Sequence, residues 1–161
     1  MDKVLSNTTP LIALADIDQL DLLHKLYNIV VIPQAVMDEI MSEPARSRVS
    51  GCDWIVVEDI GDPSQRNDFT TRLHAGEVDT IILAMEQAAD LVIMDDAEAK
   101  KAAKDKGLKV IGTMGVLVRA KQEGFLNKIE PVMNRLIQDG LYISDSVRNL
   151  VLEMAGELND Q

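Results

Sequence analysis

The chain alternates between short runs of aliphatic residues and longer stretches in which apolar positions recur at helical spacing. Val4-Leu5-Ser6, Ile29-Val30-Val31-Ile32, Trp54-Ile55-Val56-Val57, Leu91-Val92-Ile93-Met94 and Leu108-Lys109-Val110-Ile111 are the short runs. Several have no polar alternation, the signature of strands covered on both faces. Trp54–Val57 is crowded by Asp53, Glu58 and Asp59, which predicts a position near a sheet edge. Between the runs, Leu11, Ile12, Leu14 and Ala15 mark one helix, with Thr9 as its predicted cap and Pro10 in its first turn. Leu20, Leu22, Leu23 and Leu26 mark a second, and Ala35, Val36 and Ile40 a third, opened by Pro33 and carrying Glu39 two turns in.

Residues 43–51, rich in Pro, Arg and Ser, read as a loop, and a mostly polar helix is predicted from Asp62 towards Leu73. Gly76 then interrupts before an apolar helix running to Ala89, and an Ala- and Lys-rich helix follows Asp95-Asp96 and ends at Gly107. Another starts at Gly112-Thr113, and two amphipathic helices close the chain. One covers 129–138, and one is capped by Ser144 with Val147, Leu150, Val151 and Met154 on its apolar face. Strands alternating with helices predict an α/β fold, a three-layer α/β/α sandwich around a parallel sheet. Residues 1–161 are expected to form one domain, with 125–157 as a C-terminal helical extension.

Composition changes this picture little. The 161 residues are 47% apolar, with only 3% aromatic, so the core is expected to be aliphatic. A lone cysteine, Cys52, cannot form an internal disulfide, and no signal-peptide pattern or membrane-length apolar run is present. The expectation is a cytoplasmic protein with no membrane partner. The net charge of −11 disfavours simple non-specific binding to nucleic acid. Basic residues nevertheless concentrate between Lys100 and Arg135. Lys100, Lys101, Lys104, Arg119 and Lys121 could form a polyanion-facing surface or an ordinary solvated helix face.

Candidate chemistry resides in the acids. Asn7 and Asp95-Asp96 fall at the carboxyl ends of predicted strands, where open parallel sheets bind ligands. Glu77 and Asp79 open an apolar helix, and Glu39 stands in another. Carboxylates converging there would repel unless a cation neutralised them, and magnesium or manganese suits a set of hard oxygen donors. The same residues have a plainer explanation. Glu77 and Asp79 can stabilise a helix N-terminus, and Asp95-Asp96 can cap the next helix. Asp79, flanked by Val78, Ile81 and Ile82, requires some partner, since an unpaired carboxylate there is costly. His24 and His74 lack metal-ligand spacing, and no glycine-rich phosphate loop exists. Asn7 also stands where a receiver domain or a dehalogenase-type phosphatase needs acids.

These pieces in order resemble a PIN domain, and in particular a short prokaryotic PIN subgroup. They are Ser6-Asn7-Thr8-Thr9-Pro10-Leu11-Ile12, Ile32-Pro33 through Glu39-Ile40, Gly76-Glu77-Val78-Asp79-Thr80-Ile81, Val92–Asp96, Val110–Thr113, and Tyr142–Asp145 through Ala155–Glu157. The resemblance implies a Mg2+- or Mn2+-dependent ribonuclease acting on single-stranded RNA. It also implies a toxin of a toxin–antitoxin pair, with an antitoxin partner, and a homodimer. Carried over, Glu39, Asp79 and Asp95 would be catalytic metal ligands, with Asp96 beside them and Glu77 as an additional acid. Thr8 or Thr9 would supply a hydroxyl within the site, and Thr113 would stand at the same edge. The first acidic position of the family is Asn7 here, which offers a neutral oxygen and cannot act as a base. The alternative is therefore a weak or inactive PIN-like module that binds RNA or a partner protein.

Overall fold

The computed structural model describes residues 2–158. Five parallel strands, β1 (Val4–Ser6), β2 (Val30–Pro33), β3 (Ile55–Glu58), β4 (Leu91–Ile93) and β5 (Val110–Ile111), form one sheet in the order β3-β2-β1-β4-β5. The α/β sandwich expected from the sequence is the fold observed. β3 lies at an edge, as its acidic flanks predict. The order reverses at β1, which pairs with β2 on one side (Leu5 opposite Val31) and β4 on the other (Leu5 opposite Val92).

Side-chain alternation along the strands separates two aliphatic cores. Val4, Val30, Ile32, Ile55 and Ile93 face one; Leu5, Val31, Val92 and Met94 face the other. The second face is covered by α5 (Ala75–Glu86) and α6 (Ala97–Asp105). The first is covered by α1 (Thr8–Asp16), α2 (Asp21–Tyr27), α3 (Gln34–Glu39), α4 (Ala45–Ser50), α7 (Thr113–Gln122), α8 (Glu130–Gln138) and α9 (Asp145–Met154). The terminal helices share that first core through Ile129, Met133, Leu136 and Leu152. Glu157 ties them down. Its buried carboxylate accepts from the Ile129 amide (2.8 Å), the Glu130 amide (3.1 Å) and the Lys121 ammonium (3.0 Å). Among the described residues, no helix is long and apolar enough to cross a membrane.

The structure departs from the sequence expectations in several places. Residues 43–51 are not a loop, because Ala45 and Val49, one turn apart, are buried. Arg48 donates to the Ala15 carbonyl and Arg46 to that of Met37, which anchors α4. The polar stretch after Asp62 makes only a short 3-10 turn, Pro63–Asp68, since it has no buried face to hold a longer helix. The α5 helix begins at Ala75 and takes Gly76 into its first turn, and α3 ends at Glu39. Thr9 is exposed rather than capping; Asn7 holds the cap position of α1. On α9, Val151 is buried while Val147, Leu150 and Met154 are 44%, 55% and 60% exposed, so the expected apolar face is only partly covered.

Candidate metal centre

The carboxyl ends of β1 and β4, where the strand order reverses, form the crevice that an open parallel sheet offers to ligands. Asn7 follows β1 directly, and its amide donates to the Ile93 carbonyl of β4 at 2.9 Å. As the cap residue of α1, its side-chain oxygen would ordinarily accept from the second or third amide of the helix. The third residue is Pro10, which has no N–H, and no capping hydrogen bond forms. The result is a side chain only 3% exposed whose Oδ1 has no hydrogen-bond partner. An orphaned buried oxygen of this kind costs about 1–3 kcal/mol unless something else satisfies it.

Glu39 bridges the two helical layers above this edge. Its Oε1 accepts from the Thr8 hydroxyl at 2.6 Å, and its Oε2 accepts from the Gly76 amide at 2.8 Å. Of the two threonines considered for the site, Thr8 is the one that contributes its hydroxyl. Gly76 is required for the approach, because a Cβ there would lie 2.4 Å from Glu39 Oε1. Asp95, two residues beyond β4, is held by Thr113 at both oxygens. The Thr113 amide donates to Oδ1 at 2.7 Å and its hydroxyl to Oδ2 at 2.6 Å. Thr113 thus opens α7, capped from outside by an acid, while Gly112 occupies the cap position itself. A Cβ on Gly112 would lie 2.9 Å from both Asp95 Oδ1 and Lys100 Nζ, so glycine leaves room for both groups at this position.

Glu77 and Asp79 both lie in the first turns of α5, and both are buried. Two residues apart on a helix, they point to nearly opposite sides. Burial pushes the Glu77 carboxyl above the ordinary range, and the charges of Asp96 and Glu39 push it further. The His74 amide, which donates to Glu77 at 2.8 Å, opposes that shift. Glu77 therefore lies within electrostatic reach of Asp96 and Glu39. Asp79 is matched to Arg66 of the 3-10 turn, with Nε to Oδ1 at 2.9 Å and Nη2 to Oδ2 at 2.8 Å. Asp96 caps α6, accepting from the Ala99 amide at 3.0 Å.

The plainer capping roles are therefore real for Glu77 and Asp96, whereas Asp95 leaves the cap of α6 to Asp96 and holds the start of α7 instead. Among the described residues, no three His, Cys, Asp or Glu side chains stand together as a ready metal-binding group. The donor set still fits a hard cation, since each carboxylate keeps lone pairs beyond those its fold partners use and Asn7 Oδ1 uses none. Arg66, Gly76 and Pro10 are contributors that the sequence reading did not single out. The need for a partner at Asp79 was the available signal for Arg66.

The basic residues are not gathered on one surface. Lys100, Lys101 and Lys104 ride on α6 behind one face of the sheet, whereas Arg119 and Lys121 belong to α7 behind the other. Arg119 pairs with Glu123 at 3.6 Å, and Lys121 is engaged by Glu157 and the Ala155 carbonyl. His24 stacks on Trp54, with ring centroids 5.0 Å apart.

A family model described as a PIN domain matches residues 3–157 of the chain. None of the curated proteins compared with it matches.

Proposed function

The chain belongs to the PIN domain family, whose members are generally nucleases, and from that premise we propose a Mg2+- or Mn2+-dependent ribonuclease that cuts single-stranded RNA. The observation that carries this reading is the unpartnered oxygen of Asn7, buried where β1 ends and next in the chain to Thr8, whose hydroxyl holds Glu39. Asn7, Glu39 and Asp95 would hold the metal, with Glu77 and Asp96 adding negative charge nearby. When bound, a divalent ion at such a site supplies a Lewis acid for the phosphodiester and a water of lowered pKa.

The chain's own residues do the positioning. Thr113 fixes both oxygens of Asp95, and Thr8 and the Gly76 amide fix Glu39, so little reorganisation is left to a ligand. Burial, with the charges of Asp96 and Glu39 added to it, disfavours the ionised form of Glu77, and a cation nearby would relieve that penalty. Lys100, which lines the same cleft as Asp95, would serve as a counter-charge for a phosphate. Asp79, neutralised by Arg66, shapes the start of α5 and contributes no free charge while that pair persists. A toxin role, with an antitoxin as partner and a second copy across the exposed apolar side of α9, extends this reading.

One observation pair favours the alternative, a non-catalytic module that binds RNA or a protein: Asn7 is neutral, and the Asp79 charge is already matched. The deciding experiment is cleavage of a mixed single-stranded RNA in millimolar Mn2+ by wild type, Asp95→Asn and Glu39→Gln. The nuclease reading expects cleavage by wild type that both variants lose. Cleavage no faster than in the variants leaves the binding module. Asn7→Asp restores a full charge beside the crevice and is expected to tighten Mn2+ binding by about tenfold or more, on the order of one charge-assisted ligand. Unchanged affinity would place Asn7 outside the site.

A further inference from the structure

A cleft of about 430 Å3 is lined by Asp95, Lys100, Gly112, Met114, Tyr142 and Val147. That volume lies within the range of about 300–1,000 Å3 usual for small-molecule sites. Its lining combines two chemistries. One is charged, the carboxylate of Asp95 and the ammonium of Lys100, each of which packs against Gly112. The other is apolar and includes Tyr142, which is 88% exposed, the most open of the large apolar side chains among the described residues. Tyrosine buries a large amphipathic ring when it can, and aromatics are scarce in this chain. The other rings are placed differently: Trp54 stacks on His24, Lys106 lies over Phe69, Tyr27 is half-buried, and Phe125, though 40% exposed, does not line the cleft.

A flat ring held in water, continuous with a cation that itself adjoins the candidate metal centre, matches what a single-stranded nucleic acid presents. Each nucleotide offers a π face and a phosphate a few ångströms away, and base–aromatic stacking tolerates every base. We propose that this cleft is a nucleotide subsite, in which Tyr142 stacks on a base next to the scissile phosphate and Lys100 receives a phosphate oxygen. The proposal rests on the ribonuclease reading and deepens it by naming where the substrate lies. The acidic surface need not exclude RNA, because the subsite brings stacking and one local cation rather than a basic field.

The test uses the full chain and a fluorescein-labelled, mixed-sequence RNA octamer. Anisotropy in EDTA reads binding with no metal present, and initial rates in Mn2+ give kcat and KM. Tyr142→Ala is expected to weaken binding about tenfold and raise KM by a similar factor with kcat retained, consistent with one base stack. Tyr142→Phe is expected to bind as wild type does. Phe125→Ala, removing another exposed ring, is the control and is expected to change nothing. Lys100→Gln should lower the slope of log K against log salt by about 0.7, as one single-strand phosphate contact requires. Because Tyr142 is so exposed, its variants should melt with wild type.

Tyr142-dependent binding without Mn2+-dependent cleavage keeps the subsite and removes the nuclease reading. Cleavage with the same Kd and KM in Tyr142→Ala removes the subsite and keeps the nuclease. No octamer binding by wild type overturns the subsite.

Discussion

Gly76→Ala isolates the contact that joins the two helical layers over the sheet edge. The added methyl would sit 2.4 Å from Glu39 Oε1 and 2.8 Å from its Cδ, so the carboxylate must swing away. The backbone itself is not the obstacle. Gly76 is helical, and alanine favours a helix over glycine by up to about 1 kcal/mol. Against that gain stand two hydrogen bonds to an ionised carboxylate, from Thr8 and from the Gly76 amide, each worth about 1.5–3 kcal/mol. Glu39 is half-buried, so water partly replaces them, which favours the lower figure. The expected balance is a loss of about 2 kcal/mol, or roughly 4–8 °C in Tm for a chain of this size.

A thermodynamic cycle separates the two effects. In a Glu39→Ala background the same Gly76→Ala change has no carboxylate to displace, so only the helix propensity remains and the substitution should stabilise. The coupling energy between the two positions should approach 3 kcal/mol, far above the scatter expected for independent sites. Melting curves with and without Mn2+ supply a second readout. Wild type should gain stability with the ion by mass action, and Gly76→Ala should gain less. If the two substitutions are additive and the Mn2+ gain is unchanged, Glu39 is not anchored by Gly76 and the edge is assembled in some other way.

Two further outcomes concern the buried acids. Arg66→Leu leaves Asp79, whose side chain is 6% exposed, without its guanidinium. A loss of about 1–3 kcal/mol by urea denaturation is expected, below that of a wholly buried pair because Arg66 is half in solvent. The added change Asp79→Asn should recover part of it, and no recovery would mean that the arginine acts through packing alone. For Glu157, burial raises the carboxyl, but the Ile129 amide, the Lys121 ammonium and the Glu130 amide outweigh burial and hold it below the ordinary value of 4.5. A lowered folded-state value stabilises fully above the unfolded value and is lost as pH falls through the folded one. Glu157→Gln should therefore cost about 1–3 kcal/mol near pH 7, with the difference from wild type shrinking below pH 4.5. A difference that is independent of pH would refute the ionic account.

The strands were legible because β-branched runs leave little choice of structure, and the parallel sheet followed from their alternation with helices. The α4 helix was hidden, since its support comes from Arg48 reaching Ala15 and Arg46 reaching Met37, contacts that no local pattern encodes. The site residues were legible by type but not by pairing. The demand of Asp79 for a partner was readable from its apolar neighbours, yet an arginine on a polar 3-10 turn answered it. The apolar face of α9 was read as one surface because periodicity cannot tell which side the rest of the chain will cover. The basic residues of 100–135 looked like one patch for a related reason: sequence proximity does not reveal that a sheet runs between α6 and α7.

The central place of β1 bears on the order in which the molecule can assemble. A chain made from its N-terminus presents its middle strand first, and that strand gains β2 early. Its other edge stays open until residues 91–93 have been made, because Val4, Leu5 and Ser6 pair there with Leu91, Val92 and Ile93. Non-local parallel pairing of this kind makes for slow folding. The crevice between β1 and β4 exists only once that gap closes, and Asp95 gains its Thr113 clasp later still. Newly synthesised chain should therefore carry no organised candidate metal centre through more than half of its length. Pulse-labelled hydrogen exchange during refolding should find the β1 amides that bond to β4 among the last of the sheet to be protected.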